Sequence, residues 1–361
     1  MERCTKCILP ENYPGIKFNK DGICNHCVTY RERKYLGDKA LKEKIESFLE
    51  DKRDRNKNYD CLLGFSGGRD SSYLLYYLTK KLSLNVLAYC ADNGFIPEQT
   101  KLNMKNMTDI LDVKLVVEEN DRLKRCLRHH ILSWMHRPSP AMIGVLCTGC
   151  RLGMDLGILN CARKNRIPVI IMGGTPFEGQ GYKQSIMGIN PSSGGHSSFI
   201  LGYLSHTIRN PKWILNRTCF IAQLKEYYYH YYRKIIRKTN KDILRISPFR
   251  FYIRWENNEV VSTIKNELGW EKNPNIESTW RGDCDVALLK LYLYKKTLGF
   301  NDKDDGLSSL IRDGQITRKE ALERLKEEGE IPEETIEEIF DNLGLNYPDL
   351  QLALRKVREN R

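Results

Sequence analysis

The 361-residue sequence has no uninterrupted apolar run of the roughly 20 residues that a membrane-spanning helix needs. Its first residues, MERCTKCILPE, also lack the apolar core of a secretory signal. We therefore expect a cytoplasmic protein without a transmembrane segment. Because the cytoplasm is reducing, we expect its 12 cysteines to bind metal or to remain thiols rather than to form disulfides.

Two common nucleotide-binding motifs are also missing. The chain has neither the GxxxxGK[ST] of P-loop kinases nor a GxGxxG after its first predicted strand. These absences exclude the two best-known phosphate loops but not anion binding. Lys and Arg number 58 against 46 Asp and Glu, a net charge of +12, which favours an anionic partner such as a nucleotide, RNA or a membrane surface. A basic but ordinary surface is the alternative.

Short apolar runs alternate with helical patterns over the first half of the chain. The runs lie at 59–65, 85–95, 113–120 and 166–175, which predicts a parallel sheet in an α/β fold, with its ligand at the carboxyl ends of the strands. We expect three parts, which are a cysteine-rich segment at 1–35, an α/β domain at 36–245 and a helical region at 246–361. A basic, aromatic insertion at about 190–245 is typical either of a partly packed helix or of a surface that faces nucleic acid or membrane.

The N-terminal part contains two CxxC pairs, Cys4 with Cys7 and Cys24 with Cys27. Thiolates at this spacing grip one side of a tetrahedral ion, and two such pairs complete its shell. The pattern predicts a structural zinc site resembling a zinc ribbon. His26 could replace one thiolate, and iron could replace zinc.

Between the first strand and its helix the chain reads SGGRDS, residues 66–71. The two glycines, Gly67 and Gly68, let backbone N–H groups approach an anion, and the following helix points its positive end at the same place. The hydroxyls of Ser66, Ser71 and Ser72 add donors. Asp70 would repel bare phosphate, so its presence favours a bridging Mg²⁺.

This strand–SGGxDS–helix pattern resembles the PP-loop ATP pyrophosphatases, which have an adenine nucleotide alpha hydrolase-like fold. The resemblance implies cleavage of ATP between its α and β phosphates, adenylation of a substrate oxygen, and displacement of AMP by a nitrogen or sulfur nucleophile. It implies ATP and Mg²⁺ as ligands and Ser66 and Asp70 as catalytic residues. The further nucleotide-binding residues that it implies are Gly67, Gly68, Ser71, Ser72, Asp92, Asn93, Gly173, Gly174 and Thr175.

From residue 1 to about 325 the chain resembles the N-acetyl sugar amidotransferase family of surface-polysaccharide and flagellin-sugar synthesis. The resemblance rests on RCTKCILPENYPGIKFNKDGICNHC, the PP-loop, CTGCR and RFYIRWENNEVVSTIKNELGW. It implies conversion of an acetamido group on a nucleotide-linked sugar to an acetamidino group, as in O-antigen and other LPS biosynthesis. A separate glutaminase subunit would supply the ammonia, and the chain itself shows no glutaminase nucleophile. The long basic stretch at 195–245 and the segment after Trp280 depart from the family pattern.

The CTGC pair, Cys147 and Cys150, resembles the CxxC of PP-loop enzymes that thiolate tRNA. Those enzymes add one distant cysteine and hold a [4Fe–4S] cluster with one iron free. The resemblance implies Cys284 as the third ligand, with Cys219 as the second choice. A second zinc and plain thiols remain alternatives, and a sulfur transferase acting on tRNA or a small molecule is the alternative function. A non-catalytic zinc scaffold that binds nucleotide is a third.

The acceptor site is less clear from the sequence. Arg151, Arg254 and Arg281 are candidates for the diphosphate or carboxylate of a nucleotide sugar, because the guanidinium fork matches those groups. The helices near the C-terminus are a candidate homodimer contact.

Overall fold

A computed structural model describes residues 2–51, 55–56, 58–178, 181–188, 196–239 and 242–359. Part of the predicted insertion, the Gly/Ser-rich stretch at 189–195 and the side chains at 229–239, lies outside the described residues. The strands are β1 (Cys61–Gly64), β2 (Val86–Asp92), β3 (Lys114–Glu119), β4 (Val169–Ile171) and β5 (Leu244–Ile246). The helices up to the last strand are α1 (Asn25–Val28), α2 (Asp38–Glu50), α3 (Arg69–Tyr76), α4 (Glu98–Leu111), α5 (Asp121–His136), α6 (Thr148–Lys164), α7 (Gly181–Ser185), α8 (His196–Ile208), α9 (Pro211–Leu215) and α10 (Arg217–Thr239).

Seven more helices follow the sheet. They are α11 (Pro248–Phe251), α12 (Asn257–Leu268), α13 (Asp285–Leu298), α14 (Asp302–Arg312), α15 (Arg318–Glu328), α16 (Glu333–Asn342) and α17 (Tyr347–Glu359). A π-helical segment, Tyr77–Lys81, continues α3, and a 3-10 segment, Pro140–Cys147, precedes α6.

The five strands form one parallel sheet in the order β3-β2-β1-β4-β5. β1 lies in the centre, where Leu62 pairs with Leu87 on one side and with Ile170 on the other. Its residues Cys61, Leu62 and Leu63 are fully buried, as expected for a strand that has helices on both faces. The predicted α/β class with a parallel sheet and a helical C-terminal region is confirmed.

The longest apolar helical stretch is Pro140–Lys164, which by length and composition could cross a membrane. Half of its most apolar window is buried within the fold, and α6 packs on β2, β4, α5 and α10. These contacts are those of a core helix.

The N-terminal cysteine segment packs on α14, far along the chain. Nη1 of Arg3 lies 2.8 Å from Oδ1 of Asp304, and the hydroxyl of Tyr13 donates to Asp305 at 3.1 Å. A third acid of α14, Asp302, accepts a hydrogen bond of 2.7 Å from Lys183. The acidic start of α14 therefore contacts two other segments of the chain, the N-terminal cysteine segment and α7.

Candidate functional site

A cavity of about 290 Å³ lies at the carboxyl ends of the central strands. One wall is the end of β1 with the predicted phosphate loop, residues 64–71. The opposite wall is the irregular segment 278–284, which leads into α13. The loop and the C-terminal region therefore form one site.

The two glycines of the loop lie against other parts of the fold. Gly67 has φ of +71°, and a Cβ there would lie 2.5 Å from Cγ of Met104. A Cβ on Gly68 would lie 2.8 Å from Oδ2 of Asp283. At Gly67, both the left-handed backbone and the close packing require glycine.

The predicted serines differ in their surroundings. Ser66 and Ser71 line the cavity, with their hydroxyl oxygens 3.2 Å apart. Ser72 is fully buried, is not among the cavity-lining residues, and donates to the carbonyl of Gly68 at 2.8 Å. Ser72 thus stabilises the first turn of α3, whereas Ser66 and Ser71 are placed to contact a ligand.

Asp70 is held in a fixed orientation at the cavity wall. Its Oδ1 accepts hydrogen bonds from Nε of Arg69 and Nε1 of Trp255, both at 3.0 Å. The guanidinium of Arg69 in turn lies 4.7 Å from the centre of the Trp255 ring. A carboxylate fixed in this way is preorganised to bind a cation or a donor group.

Three further acidic residues line the same cavity, Glu178, Glu271 and Asp283. Burial raises the pKa of Glu178, Arg281 opposes that rise, and the negative charges of Asp70 and Asp283 add to it. These carboxyl groups lie beside the phosphate loop and offer the oxygen ligands that Mg²⁺ prefers, but their oxygens are not all within 4.8 Å of one another as the N-terminal sulfurs are. The sequence analysis did not identify Glu178 or Asp283.

Of the other residues predicted to bind the nucleotide, some line the cavity and others do not. Gly173 and Asn93 line the cavity. Gly174 lies beside Arg250, and Thr175 is buried. The carboxylate of Asp92 accepts a hydrogen bond of 2.7 Å from the backbone of Gly94 and is not among the lining residues.

Asn93 links two of the predicted cluster cysteines. Its Nδ2 donates to Sγ of Cys150 at 3.4 Å and to Sγ of Cys284 at 3.5 Å. Burial raises the pKa of Cys150 to about 11, and the nearby Cys147 raises it further. Burial also raises the pKa of Cys284, and the charges of Cys150 and Cys147 add to that rise.

The alternative third ligand, Cys219, lies elsewhere. It is fully buried, and its sulfur is 3.4 Å from the hydroxyl of Ser133 on α5. Cys147, Cys150 and Cys284 do not form a group as tight as the N-terminal cysteines, whose sulfurs all lie within 4.8 Å of one another. A cluster holds its thiolates further apart than a single ion does, because each binds a different iron. Cys150 and Cys284 line the cavity, whereas Cys147 does not.

Of the three arginines predicted for the acceptor, Arg281 lines the cavity. Its guanidinium lies 3.7 Å from Asp302, and its Nε is buried without a hydrogen-bond partner in the described part of the chain. Arg151 pairs with Glu226. Arg254 pairs with Glu256 at 2.6 Å and with Asp313 at 3.5 Å.

Lys183 adds a second cation near Arg281. Burial lowers its pKa to about 8, although Asp302 opposes the change, and the charges of Lys290 and Arg281 lower the pKa further. Asp302 pairs with both cations, and Glu178 and Asp283 also act on Arg281. The two cations could contact an anionic ligand only in competition with these carboxylates.

The four N-terminal cysteines form a compact and buried set. The sulfur atoms of Cys7 and Cys24 lie 3.7 Å apart. Backbone N–H groups of Cys7 and Cys24 donate to Sγ of Cys4 at 3.4 and 3.2 Å, which stabilises a thiolate. Nε of Arg318 donates to the carbonyls of Cys4 and Cys7 at 3.1 and 3.0 Å. The donor set fits a tetrahedral Zn²⁺.

His26 is not part of that sulfur group. Its ring meets Tyr13 edge-on, with centroids 5.3 Å apart, and its Nε2 is buried without a partner in the described part of the chain. Burial is the largest cause that lowers the pKa of His26. The imidazole therefore packs against Tyr13 beside the four cysteines.

Comparison with known proteins gives partial matches. The family described as "LPS biosynthesis protein WbpG-like, C-terminal domain" matches residues 284–361. The uncharacterized protein MJ1599 of Methanocaldococcus jannaschii is 31% identical over 121 residues, which are 33% of this chain and 43% of that protein. The chain thus spans less than half the length of this curated relative.

Two solved structures have a low structural similarity to this chain. The U34-tRNA thiolase NcsA of Methanococcus maripaludis, with its [4Fe-4S] cluster, is 16% identical with a TM-score of 0.34, over 90% of this chain and 89% of its own. The NH3-dependent NAD synthetase of Campylobacter jejuni is 12% identical with a TM-score of 0.28, over 54% of this chain and 96% of its own. At these TM-scores neither structure supports an argument about function. The family model covers only the C-terminal part of the chain, and residues 284–361 are similar to the WbpG-like C-terminal domain of LPS biosynthesis proteins.

Proposed function

We propose that this protein is an ATP-dependent, AMP-forming amidotransferase that acts in the cytoplasm on a nucleotide-linked N-acetyl sugar for LPS. One observation carries the proposal. The SGGRDS loop and the segment that leads into the WbpG-like domain line the same cavity, so ATP and a sugar acceptor would meet there.

In the proposed reaction the acetamido oxygen attacks the α-phosphate of ATP, and pyrophosphate leaves. The amides of Gly67 and Gly68 and the positive end of α3 would hold the departing pyrophosphate. Ammonia then adds to the activated carbon, loses its extra protons to the solvent, and AMP leaves with the former amide oxygen. The product carries an acetamidino group.

Asp70, Glu178 and Asp283 are the residues that would hold Mg²⁺. The ion, when bound, would neutralise charge on the phosphates. Hydrogen bonds from Arg69 and Trp255 fix Asp70 in one orientation, which the geometry of an ion site requires.

The anionic part of the acceptor is proposed to bind beside Arg281 and Lys183. Arg281 offers a buried Nε without a partner in the described residues. Arg281 lines the cavity, and Lys183, which pairs with the same Asp302, lies behind it and is not a lining residue. We propose a glutaminase subunit as the ammonia source.

The test combines the protein with ATP, Mg²⁺, an ammonium salt and a UDP-linked N-acetyl sugar. AMP, pyrophosphate and an amidine product identified by mass spectrometry are expected in equal amounts. Asp70→Asn should abolish all three. Asp109→Asn, an exposed carboxylate on α4, is the matched control and should leave them unchanged. AMP release that needs neither sugar nor ammonia would contradict the proposal.

A sulfur transferase is the second candidate. The observation that favours it is the convergence of Cys150 and Cys284 on Asn93 at the edge of the nucleotide cavity. Transfer of sulfur to RNA, with a salt-dependent RNA affinity, would replace the first proposal with this one.

A further inference from the structure

Helices α8, α9 and α10 expose an unusual amount of apolar surface. In the described part of the chain 18 large apolar side chains are exposed, and eight of them lie between residues 201 and 228. The most open are Leu215 at 79%, Ile208 at 67% and Leu201 at 66% exposure. So dense a group on a short stretch indicates a contact surface rather than scattered apolar residues.

The exposed residues of α10 follow a helical period. Leu224 lies three or four positions from Phe220, Ile221 and Tyr228, so these side chains lie along one side of the helix. The residues between them, such as Ala222 and Glu226, are buried, and α10 packs on α5 and α6. The apolar stripe therefore faces away from the core.

The exposed charged side chains on these helices are all positive. Between residues 200 and 228 the exposed charged residues are Arg209, Lys212, Arg217 and Lys225. Glu226, the one acidic residue of that stretch, is buried and paired with Arg151. The sequence from 229 to 239 adds four more Lys and Arg and no acid.

An adjoining groove of about 700 Å³ extends the apolar surface. Leu132 of α5 and Leu352 of α17 line it together with Leu215. Its charged lining residues are Lys212, Lys356 and Asp349. Cations outnumber the single carboxylate there as well.

We propose that the surface formed by α8, α9 and the outer face of α10 binds the surface of an anionic lipid bilayer. Aliphatic side chains that alternate with Lys and Arg suit the boundary between lipid headgroups and acyl chains. A protein interface would carry fewer charges among its apolar residues. Single-stranded RNA would require aromatic platforms for its bases, whereas Leu and Ile dominate here.

Such a surface would hold the enzyme beside the membrane without any segment that crosses it. The proposal is independent of the reaction, because none of these side chains lines the nucleotide cavity. Activity on a soluble nucleotide sugar would therefore persist in variants that no longer bind lipid.

The test is flotation of the full chain with vesicles of phosphatidylcholine alone, and with vesicles in which about a third of the lipid is phosphatidylglycerol. Binding to the anionic vesicles, weakened by salt, is expected. Arg217→Gln/Lys225→Gln should lower the partition coefficient roughly 25-fold, at roughly fivefold per charge. Ile221→Ser/Leu224→Ser should lower it as strongly, because two apolar side chains leave the acyl boundary.

The matched control is Leu102→Ser/Ile110→Ser on α4, whose side chains are similarly exposed at 53% and 52%. It should leave binding unchanged. Thermal unfolding checks that each variant folds. If Ile221→Ser/Leu224→Ser does not fold, Arg217→Gln/Lys225→Gln still tests the proposal, because both of its substitutions are at exposed positions.

Three results would overturn the proposal. One is the absence of binding to anionic vesicles at low salt. Another is equal loss of binding in the α4 control. The third is a stable dimer or RNA complex that the α10 substitutions disrupt while vesicle binding persists.

Discussion

The indole of Trp270 donates a hydrogen bond of 3.1 Å to the backbone carbonyl of Gly67. Trp270 is almost fully buried and follows Gly269, the residue with φ of +61° that ends α12. The phosphate loop is thus held in shape by the C-terminal region as well as by its own strand and helix.

Trp270→Phe should keep the ring packed but remove this N–H donor. A buried carbonyl that loses its partner costs about 1–3 kcal/mol, so we expect the KM for ATP to rise by roughly tenfold. Trp213→Phe is a matched control, because Trp213 is fully buried and its Nε1 has no partner among the described residues. An unchanged KM in the Trp270 variant would show that the loop holds its shape without this bond.

Gly67→Ala should destroy ATP binding. The new Cβ would collide with Met104, and the left-handed φ adds about 1 kcal/mol or more of strain. Gly314→Ala is the control for strain alone, since Gly314 has φ of +75° and nothing within 4 Å of the new Cβ. Equilibrium binding of ATP, measured beside thermal unfolding, separates the two effects. Equal loss of affinity in both variants would count against the packing argument.

Cys4→Ser should remove the metal from the N-terminal site and lower the unfolding temperature. The backbone donors that now face the Cys4 sulfur would lose a thiolate, and the segment would lose the stabilisation that a bound metal gives it. Metal analysis should find one zinc in the wild type and in Cys161→Ser, a buried cysteine outside the site. Retention of zinc by the Cys4 variant would disprove the four-cysteine assignment.

Cys284→Ser should abolish any iron–sulfur cluster, and Cys219→Ser should not. The reason is position, since Asn93 contacts the sulfurs of Cys150 and Cys284, whereas Cys219 faces Ser133. Iron and acid-labile sulfide after anaerobic purification provide the measurement. Zinc alone in all variants would leave plain ammonia transfer as the simpler chemistry.

His130 should make the fold sensitive to mild acid. Burial lowers its pKa from 6.5 to about 4. The unfolded chain therefore binds more protons between those two values, and the free energy of unfolding should rise with pH across that window, by up to about 3 kcal/mol.

His130→Gln should flatten that slope in denaturant titrations at several pH values. Its loss of contact with Trp213 lowers stability at every pH and does not affect the comparison of slopes. His136→Gln, on the exposed end of the same helix, is the control. A slope that survives in the His130 variant would assign the acid sensitivity to other groups.

The sheet was predictable because buried parallel strands are short apolar runs beside helices, and β1 to β4 each lie within a predicted run. β5 was missed, since three residues with an arginine in the middle carry no such pattern. The register with β4, and not composition, makes it a strand.

The phosphate loop could be predicted because its residues are consecutive in the sequence. The roles of Glu178, Asp283 and Trp270 could not be predicted, because they arise only when distant segments of the chain contact the loop. Arg254 is a case in which the sequence suggested a ligand contact that the structure does not favour. Its guanidinium was a candidate to bind phosphate, but it already forms ion pairs with Glu256 and Asp313.

The contact between Arg3 and Asp304 spans 301 residues. During synthesis the cysteine segment leaves the ribosome long before α14, its docking surface. Until α14 has emerged, the segment can bind metal but cannot bury Tyr13 against Asp305. Closure of so long a loop is slow, so docking of the cysteine segment on α14 is expected to be a late event in folding.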